Sequence, residues 1–199
     1  MSAAAPGDQA TVTVLVAVDP EVAFRVFTDE IDLWWRRGLK YRVAGARRGT
    51  IRLEPGVGGR LFESFETDDG VRVVETGRVT SWEPPARVVF EWRAVNFAPA
   101  EKTEVEVLFQ PSSSGTLVTV KHRGWSAIRS DHPARHGHDV PAFLRMMGLW
   151  WGDLLTSLRE HAASSWMSVH CLGASMLQTT IEPGPFSELR NCARRRRSP

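Results

Sequence analysis

Residues 1–162 contain no cysteine, and the two cysteines of the chain, Cys171 and Cys192, both lie near its C-terminal end. A disulfide framework and a cysteine-based metal site are therefore excluded over residues 1–162. This part of the chain must be held together by an apolar core, and it is long enough to bury one.

Motifs of the common catalytic mechanisms are also missing. There is no G-x-S-x-G elbow for a nucleophilic serine, no G-x-x-x-x-G-K-[ST] phosphate loop and no dinucleotide fingerprint after a strand. Ser112 to Ser114 fall in a polar turn, and Gly56 to Gly59 indicate a hairpin turn. The sequence therefore gives no support to a conventional hydrolase, kinase or dehydrogenase. An enzyme built from it would act by orienting an apolar substrate beside one polar group.

Residues 1–162 also lack a charge excess of either sign, with 20 Lys and Arg against 21 Asp and Glu. That balance gives no electrostatic case for nucleic acid. No apolar run reaches the length of about 18 residues that a membrane-spanning helix needs. The first residues lack the basic start and apolar core of a signal peptide. We therefore expect a cytoplasmic protein with neither a nucleic-acid nor a membrane partner.

The composition changes after Ala162. Residues 163–199 carry five basic groups against two acidic ones, and four of the basic groups form the run Arg194 to Arg197. The stretch has no sustained period, so we expect mostly a disordered basic tail, with a short helix or strand near 165–178 as the alternative. A solvated charge run is favoured over a nucleic-acid or anionic-membrane contact.

The strongest pattern present is an apolar stripe from Val140 to about His161, with steps of three and four residues that predict an amphipathic helix. The stripe consists of Val140, Phe143, Leu144, Met147, Trp151, Leu154, Leu155 and Leu158. Met146, Leu149 and Trp150 fall outside it and suit a protein partner, a homodimer or burial under neighbouring elements. A helix of this length can lie across a whole small sheet.

The residues before this helix predict the sheet. Thr11 to Val18 alternates as a half-buried strand, and Asp19-Pro20 then starts the first of two short helices. Six alternating segments between Gly49 and His122 predict an antiparallel meander, with a bulge or a sharp bend at Gly77. We therefore expect an α+β fold in one domain over residues 11–162, with a disordered N-terminus over residues 1–10.

Several different short motifs lie between residue 11 and about residue 161. They are Pro20 to Thr28 with Trp34-Trp35, Glu54-Pro55 to Arg60 with Glu63, Gly77 to Val79 with Trp82 to Pro85, Thr103 to Val107, and His122 to Trp125. In their order and spacing the chain resembles the START-like SRPBCC superfamily, in the branch of the activator of heat-shock-protein-90 ATPase. The resemblance implies a helix-grip fold, in which a curved seven-stranded antiparallel sheet surrounds the C-terminal helix and encloses an apolar cavity.

The resemblance implies less about function, because the superfamily includes carriers of hydrophobic ligands, polyketide cyclases and aromatases, and partners of a chaperone ATPase. We expect a non-enzymatic module that binds a small hydrophobic molecule and needs no cofactor. One alternative is an accessory domain that stimulates a chaperone ATPase in the stress response. A second alternative is a cyclase- or aromatase-like enzyme acting on an apolar substrate.

Bulky residues on the predicted inner faces are candidates to line the cavity, together with two polar residues, Glu63 and His122. The bulky candidates are Phe62, Phe90, Trp92, Phe109, Phe143, Met147 and Trp151. The competing interpretation is that these aromatic and apolar residues pack against one another and fill the core.

A cluster of imidazoles and carboxylates over residues 131–139 is a weaker candidate for a metal site. It contains His132, His136 and His138, but Arg135 lies among them and no helix fixes their spacing. A solvated loop over the cavity mouth is the favoured interpretation, with Asp139 as a cap of the long helix, and no metal is expected.

Overall fold

The computed structural model describes residues 8–94 and 96–176, with side chains as far as Ser164. Its contacts divide the chain into two units, Met1–Trp166 and Met167–Pro199. The fold and the site described below belong to the first unit. The expectations for residues 1–7 and for the end of the basic tail lie outside the described residues.

The described part contains seven strands and three helices. In chain order they are β1 (Gln9–Val16), α1 (Pro20–Thr28), α2 (Ile31–Trp34), β2 (Gly49–Leu53), β3 (Arg60–Thr67), β4 (Gly70–Glu83), β5 (Arg87–Trp92), β6 (Thr103–Ser112), β7 (Gly115–Arg123) and α3 (Val140–Met176). Two 3-10 turns, Trp125–Ala127 and Pro133–Arg135, lie between β7 and α3.

All seven strands form one curled antiparallel sheet in the order β1-β7-β6-β5-β4-β3-β2. Strands β2 to β7 form a meander. The last strand, β7, also pairs with the first strand, β1, so that Val118 lies opposite Val14. With α3 and the two short helices, this architecture confirms the predicted α+β helix-grip fold.

Alternation along the strands places the core between the sheet and α3. Val105, Val107 and Phe109 of β6 are buried, as the period of two predicts. On β7, Val118, Val120 and His122 share one buried face. The helix contributes its predicted stripe to this core, and its most buried members are Phe143, Trp151, Leu154, Leu155 and Leu158.

The bulge predicted at Gly77 is present in β4. Leu61 pairs with Gly77, but the next residue, Phe62, pairs with Glu75, so Thr76 is the extra residue. A Cβ atom at Gly77 would lie 2.2 Å from the carbonyl oxygen of Glu91, so no larger residue fits there without moving the backbone. The bulge matters for the site because Thr76 is buried and lines the pocket described below.

Two of the three described helices, α1 and α3, are capped at their start by aspartate. Asp19 Oδ1 accepts the N–H of Val22 at 2.9 Å, and Asp139 Oδ1 accepts the N–H of Ala142 at 2.8 Å. The predicted end of α3 near His161 is wrong, because the helix continues to Met176. The apolar stripe stops at Leu158, but residues 153–172 contain neither glycine nor proline to end the helix.

None of the described helices combines the length and the apolar character that crossing a membrane requires.

Candidate ligand-binding pocket

A pocket of about 270 Å³ lies where the segment after α2, the sheet and α3 meet. Three groups of residues line it: Trp35, Leu39, Lys40, Tyr41, Arg42 and Val43 before β2; Ile51, Glu63, Thr76, Trp92, Arg93 and Ala94 on or beside the sheet; and Trp150 of α3. Its volume is just below the range of about 300–1,000 Å³ that is usual for ligand pockets. The pocket could therefore hold a ligand of one or two rings.

Three indoles form one wall of this pocket. The rings of Trp35 and Trp92 are stacked with their centroids 5.9 Å apart. The ring of Trp150 stands edge-on to both, at 5.7 Å from Trp35 and 5.9 Å from Trp92. We call these three residues the indole wall. At such distances the rings already pack against each other, so a ligand would lie against the wall and not between its members.

Beside the wall lies a buried arginine, Arg42, whose side chain is 2% exposed. Its Nη1 donates to Asp32 Oδ1 at 2.6 Å, its Nη2 donates to the carbonyl oxygen of Trp35 at 2.6 Å, and its Nε donates to that of Arg36 at 3.1 Å. These bonds fix the guanidinium and shape the segment around it, since each one reaches a different point of the chain.

Asp32 is the ionic partner of Arg42. Burial raises the pKa of Asp32, but the hydrogen bonds from Ile51 N–H and Arg42, together with the charges of Arg42 and Arg37, outweigh this and lower the pKa overall. Asp32 Oδ1 also accepts the N–H of Ile51 at 2.9 Å, which ties α2 to the start of the sheet.

Glu63 is the second carboxylate at this place, and unlike Asp32 it is fully buried, with 2% of its surface exposed. Its Oε2 accepts the N–H of Ala44 at 3.1 Å. Its Oε1 lies 3.7 Å from Arg42 Nη1, beyond hydrogen-bond distance, and accepts no hydrogen bond within the described residues. A Cβ atom at Gly49 would lie 2.5 Å from this oxygen, so glycine there leaves the room that the carboxylate occupies.

The segment that lines the pocket is also attached to α3. Lys40 Nζ and the hydroxyl of Tyr41 both donate to Asp153 Oδ2 at 2.7 Å, and Trp150 Nε1 donates to the carbonyl oxygen of Lys40 at 2.9 Å. The hydrogen bond from Lys40, followed by that from Tyr41, lowers the pKa of Asp153. These contacts hold residues 40 and 41 against one turn of the helix.

Of the candidate residues, the structure brings Glu63 and Trp92 to this pocket. Five others, Phe90, Phe109, Phe143, Met147 and Trp151, are buried in the core and do not line it. Phe109, for example, packs against Phe24 and Phe27 of α1 at ring-centroid distances of 5.2 and 5.6 Å. For these five residues the core interpretation fits the observed positions.

Phe62 does not line the pocket, in contrast to the expectation from the sequence. In β3 the residues Leu61, Glu63 and Phe65 are buried on one face, so Phe62 points to the other face of the sheet. There the guanidinium of Arg60 lies 4.8 Å from the centroid of its ring. Adjacent residues of a regular strand cannot both line the same cavity, and Glu63 is the one that faces the helix side.

His122 is a core residue with all its hydrogen bonds made. Its Nδ1 accepts the indole N–H of Trp151 at 3.1 Å, and its Nε2 lies 2.8 Å from the hydroxyl oxygen of Thr103. An indole only donates, so Nδ1 carries no proton and Nε2 is the donor to Thr103. Burial lowers the pKa of His122 to about 3. The imidazole is therefore neutral at pH 7 and structural.

The histidine-rich loop does not assemble a metal site. His132 is buried: its Nδ1 accepts the N–H of Ala134 at 3.0 Å and its Nε2 lies 3.1 Å from the carbonyl oxygen of Asn96. His136 and His138 are exposed. Within the described residues no group of three histidine, cysteine, aspartate or glutamate side chains converges on one point.

Several pocket residues were not identified from the sequence. In the sequence Trp35 stands out only as part of the motif with Pro20 to Thr28, and the pattern leaves Trp150 to a protein partner, a homodimer or burial under neighbouring elements. Tyr41 and Arg42 lie in a segment without periodicity, so the sequence does not indicate whether their side chains point toward the interior. The bulge signal at Gly77 is the one feature that could have pointed to Thr76, because a bulge changes which side chains face the helix.

Comparison with known proteins identifies the fold family. A family model described as "Activator of Hsp90 ATPase homolog 1-like protein" matches residues 17–162. No curated protein matches the chain in sequence.

Solved structures with the same fold share little sequence with the chain. A Staphylococcus aureus protein of unknown function is 17% identical, with a TM-score of 0.57. The match covers 80% of this chain and 95% of the Staphylococcus aureus chain. A Nitrosomonas europaea protein is also 17% identical, with a TM-score of 0.53 and coverage of 82% and 99%. DynU16, described as a putative protein in the dynemicin biosynthetic locus, is 18% identical with a TM-score of 0.53 and coverage of 79% and 48%.

Proposed function

The chain belongs to the activator of Hsp90 ATPase homolog 1-like family, and from this premise we propose that it binds a small apolar molecule in the pocket beside the indole wall. The observation that carries the proposal is the pocket itself. It joins aromatic and aliphatic walls to one buried carboxylate and reaches the surface beside Leu39, which is 88% exposed. Concave apolar sites with few polar groups are the usual form of small-molecule sites.

The pocket differs from the cavity expected between the sheet and the middle of α3. That space is filled by packed side chains such as Phe143, Trp151 and Leu155, each at most 1% exposed. The ligand would instead lie beside Trp150, one residue away from the buried stripe of the helix. The proposal therefore keeps a ligand of the expected type and moves it to a different part of the domain.

Blocking the pocket tests this proposal. Ala94 lines the pocket and has a small side chain, so Ala94→Trp should fill the space without removing a wall. Binding of 3-propylindole, a neutral probe of suitable size, is followed by isothermal titration calorimetry. We expect the wild type to bind and Ala94→Trp to lose binding by about tenfold or more.

Val71→Trp is the matched control. Val71 is 72% exposed near the β3–β4 turn and does not line the pocket, so a tryptophan there adds the same ring elsewhere. This variant should bind as the wild type does. Absence of binding to the wild type, or equal binding by Ala94→Trp, would contradict the proposal.

A second candidate function is stimulation of a chaperone ATPase, as the description of the family model suggests. It is favoured by two exposed leucines that could contact a protein partner: Leu149, 73% exposed on α3 directly before Trp150, and Leu39, 88% exposed at the pocket. The test is the ATPase rate of an Hsp90 chaperone with and without the chain. An increased rate that Leu149→Asp abolishes would support this function, and an unchanged rate with the wild type would contradict it.

A further inference from the structure

The cations beside the pocket are bound mainly to one of the two carboxylates there. Asp32 pairs with Arg42 at 2.6 Å and with Arg37 at 3.2 Å. Glu63 is buried next to them, and its nearest cationic group is the same Arg42, at 3.7 Å. Arg42 thus lies near two carboxylates, and of these two it hydrogen-bonds only to Asp32. Glu63 is the carboxylate left with incomplete compensation.

Glu63 also has a free acceptor. A buried carboxylate is stable only when its oxygens receive hydrogen bonds or a close opposite charge. Oε2 has the N–H of Ala44, whereas Oε1 has no hydrogen-bond partner among the described residues. Glu63 lines the pocket, but Oε1 itself is buried beside Gly49, so a rotation of the carboxylate would bring this oxygen to a ligand that donates a hydrogen bond.

Other cations at the pocket are bound by other groups. Arg93 donates from Nη1 to the carbonyl oxygen of Pro99 at 2.7 Å and from Nη2 to that of Ala98 at 2.9 Å. Lys40 forms its ion pair with Asp153 at 2.7 Å. These side chains are held toward other partners, so neither takes the place of a donor to Glu63.

The indole wall suits the same kind of ligand. The faces of tryptophan rings carry partial negative charge and attract cations, and they also stack on flat apolar groups. Trp92 and Trp150, whose rings are half-buried, therefore favour a ligand with a flat ring system, a positive charge or both. A ligand whose anionic group lay beside Oε1 of Glu63 would be repelled by this carboxylate.

From these contacts we propose that the pocket selects a small aromatic amine, with its ring system against the indole wall and its ammonium group donating to Oε1 of Glu63. This inference depends on the proposed function, because it specifies the chemical class of the ligand in the same pocket. No covalent step is involved. The ammonium group replaces the missing hydrogen bond and pairs with the carboxylate charge.

Three probes that differ in one group test the inference by calorimetry at pH 7. Tryptamine carries an ammonium group at the end of its side chain, 3-propylindole carries a methyl group there, and indole-3-propionate carries a carboxylate. Because a hydrogen bond to a charged group is stronger than one between neutral groups, tryptamine should bind about tenfold more tightly than 3-propylindole, or better. Indole-3-propionate should bind most weakly.

Glu63→Gln tests the role of the carboxylate, and Glu66→Gln is its control, since Glu66 lies on the same strand but is exposed and outside this pocket. Glu63→Gln should bind tryptamine and 3-propylindole equally within about twofold, whereas Glu66→Gln should keep the wild-type preference. Circular dichroism establishes that each variant is folded. If Glu63→Gln does not fold, the ranking of the three probes on the wild type and its loss in Ala94→Trp decide the question.

The outcomes separate the two proposals. If 3-propylindole binds in the pocket as tightly as tryptamine, or if indole-3-propionate binds best, the amine inference is overturned and the proposed function stands. A preference for tryptamine that persists in a folded Glu63→Gln variant also overturns the inference. If none of the three probes binds, the proposed function fails and the inference fails with it.

Discussion

Trp151 of α3 donates its indole N–H to Nδ1 of His122 on β7 at 3.1 Å, and both side chains are fully buried. The other ring nitrogen of His122 bonds to Thr103, whose hydroxyl lies 3.3 Å from the carbonyl oxygen of Trp92. A polar chain therefore runs from the helix through the sheet to the strand that ends at the pocket. Since the network is satisfied only with a neutral imidazole, it has consequences for pH and for stability.

The first prediction concerns acid sensitivity. Burial lowers the pKa of His122 to about 3, below its ordinary value of 6.5. Between these values the unfolded chain binds more protons than the folded one, so stability is fully present above pH 6.5 and is lost as the pH falls toward 3. This one group should lower the free energy of unfolding by about 1.4 kcal/mol per pH unit in that window.

Urea denaturation of the wild type and of His122→Gln between pH 7 and pH 5 measures this effect. The half-buried Asp32 and the buried Glu106 have lowered pKa values and titrate at more acidic pH, so they contribute little there. The variant should show a shallower pH dependence than the wild type. His136→Gln, which changes an exposed histidine, should keep the wild-type slope. Equal slopes for the wild type and His122→Gln would contradict the assignment.

The second prediction concerns the buried arginine. Arg42→Leu leaves Asp32 and Glu63 without their buried cation, so it should destabilise the fold by about 3–5 kcal/mol. Arg37→Leu is matched to it, because Arg37 also bonds to Asp32 but has a side chain that is 60% exposed. That change should cost less than about 1 kcal/mol. Similar losses of stability in urea for both variants would show that burial of Arg42 does not matter.

The third prediction concerns the helix. Trp151→Ala removes a fully buried ring and the bond to His122, so the free energy of unfolding should fall by about 3–5 kcal/mol. Leu149→Ala, two positions earlier and 73% exposed, should change it by no more than about 0.5 kcal/mol. Thermal and urea unfolding of both variants provide the comparison. A near-neutral Trp151→Ala would place this ring outside the core.

The sequence allowed the framework of this molecule to be predicted because its periods are strong. The alternation through Val105, Val107 and Phe109 determines the inner face of β6, and the stripe through Trp151 and Leu158 does the same for α3. Local chemistry was equally informative, as the aspartate caps at Asp19 and Asp139 show.

The site was less predictable because it depends on the direction in which particular side chains point, and the periodicity of the sequence does not determine that direction. Phe62 and Glu63 are neighbours on β3, and only the register with β2 and β4 shows which of them points inward. Arg42 lies in an irregular segment, and its burial depends on acceptors at Asp32, Trp35 and Arg36 that the fold brings together. A sequence pattern cannot reveal such tertiary contacts.

The fourth prediction concerns the attachment of the pocket segment to α3. Asp153→Asn weakens the contacts with both Lys40 and Tyr41, so the segment should open more often. Hydrogen exchange at the amides of Tyr41 and Arg42, which both donate to the carbonyl oxygen of Gly38, should become faster. Glu160→Gln, an exposed change on the same helix, should leave these rates unchanged. Unchanged exchange in Asp153→Asn would mean that Asp153 does not hold the segment.

Two-dimensional NMR of the indole N–H signals, recorded while 3-propylindole is added, is the most direct test of the pocket. The chain has eight tryptophans, which report from different parts of the molecule. The signals of Trp35, Trp92 and Trp150 should shift with a common dissociation constant, because a bound ring beside the indole wall changes their environment. Those of Trp82 and Trp125, which do not line the pocket, should stay in place. Shifts confined to Trp82 or Trp125, or no shift at saturating probe, would contradict a ligand site at the indole wall.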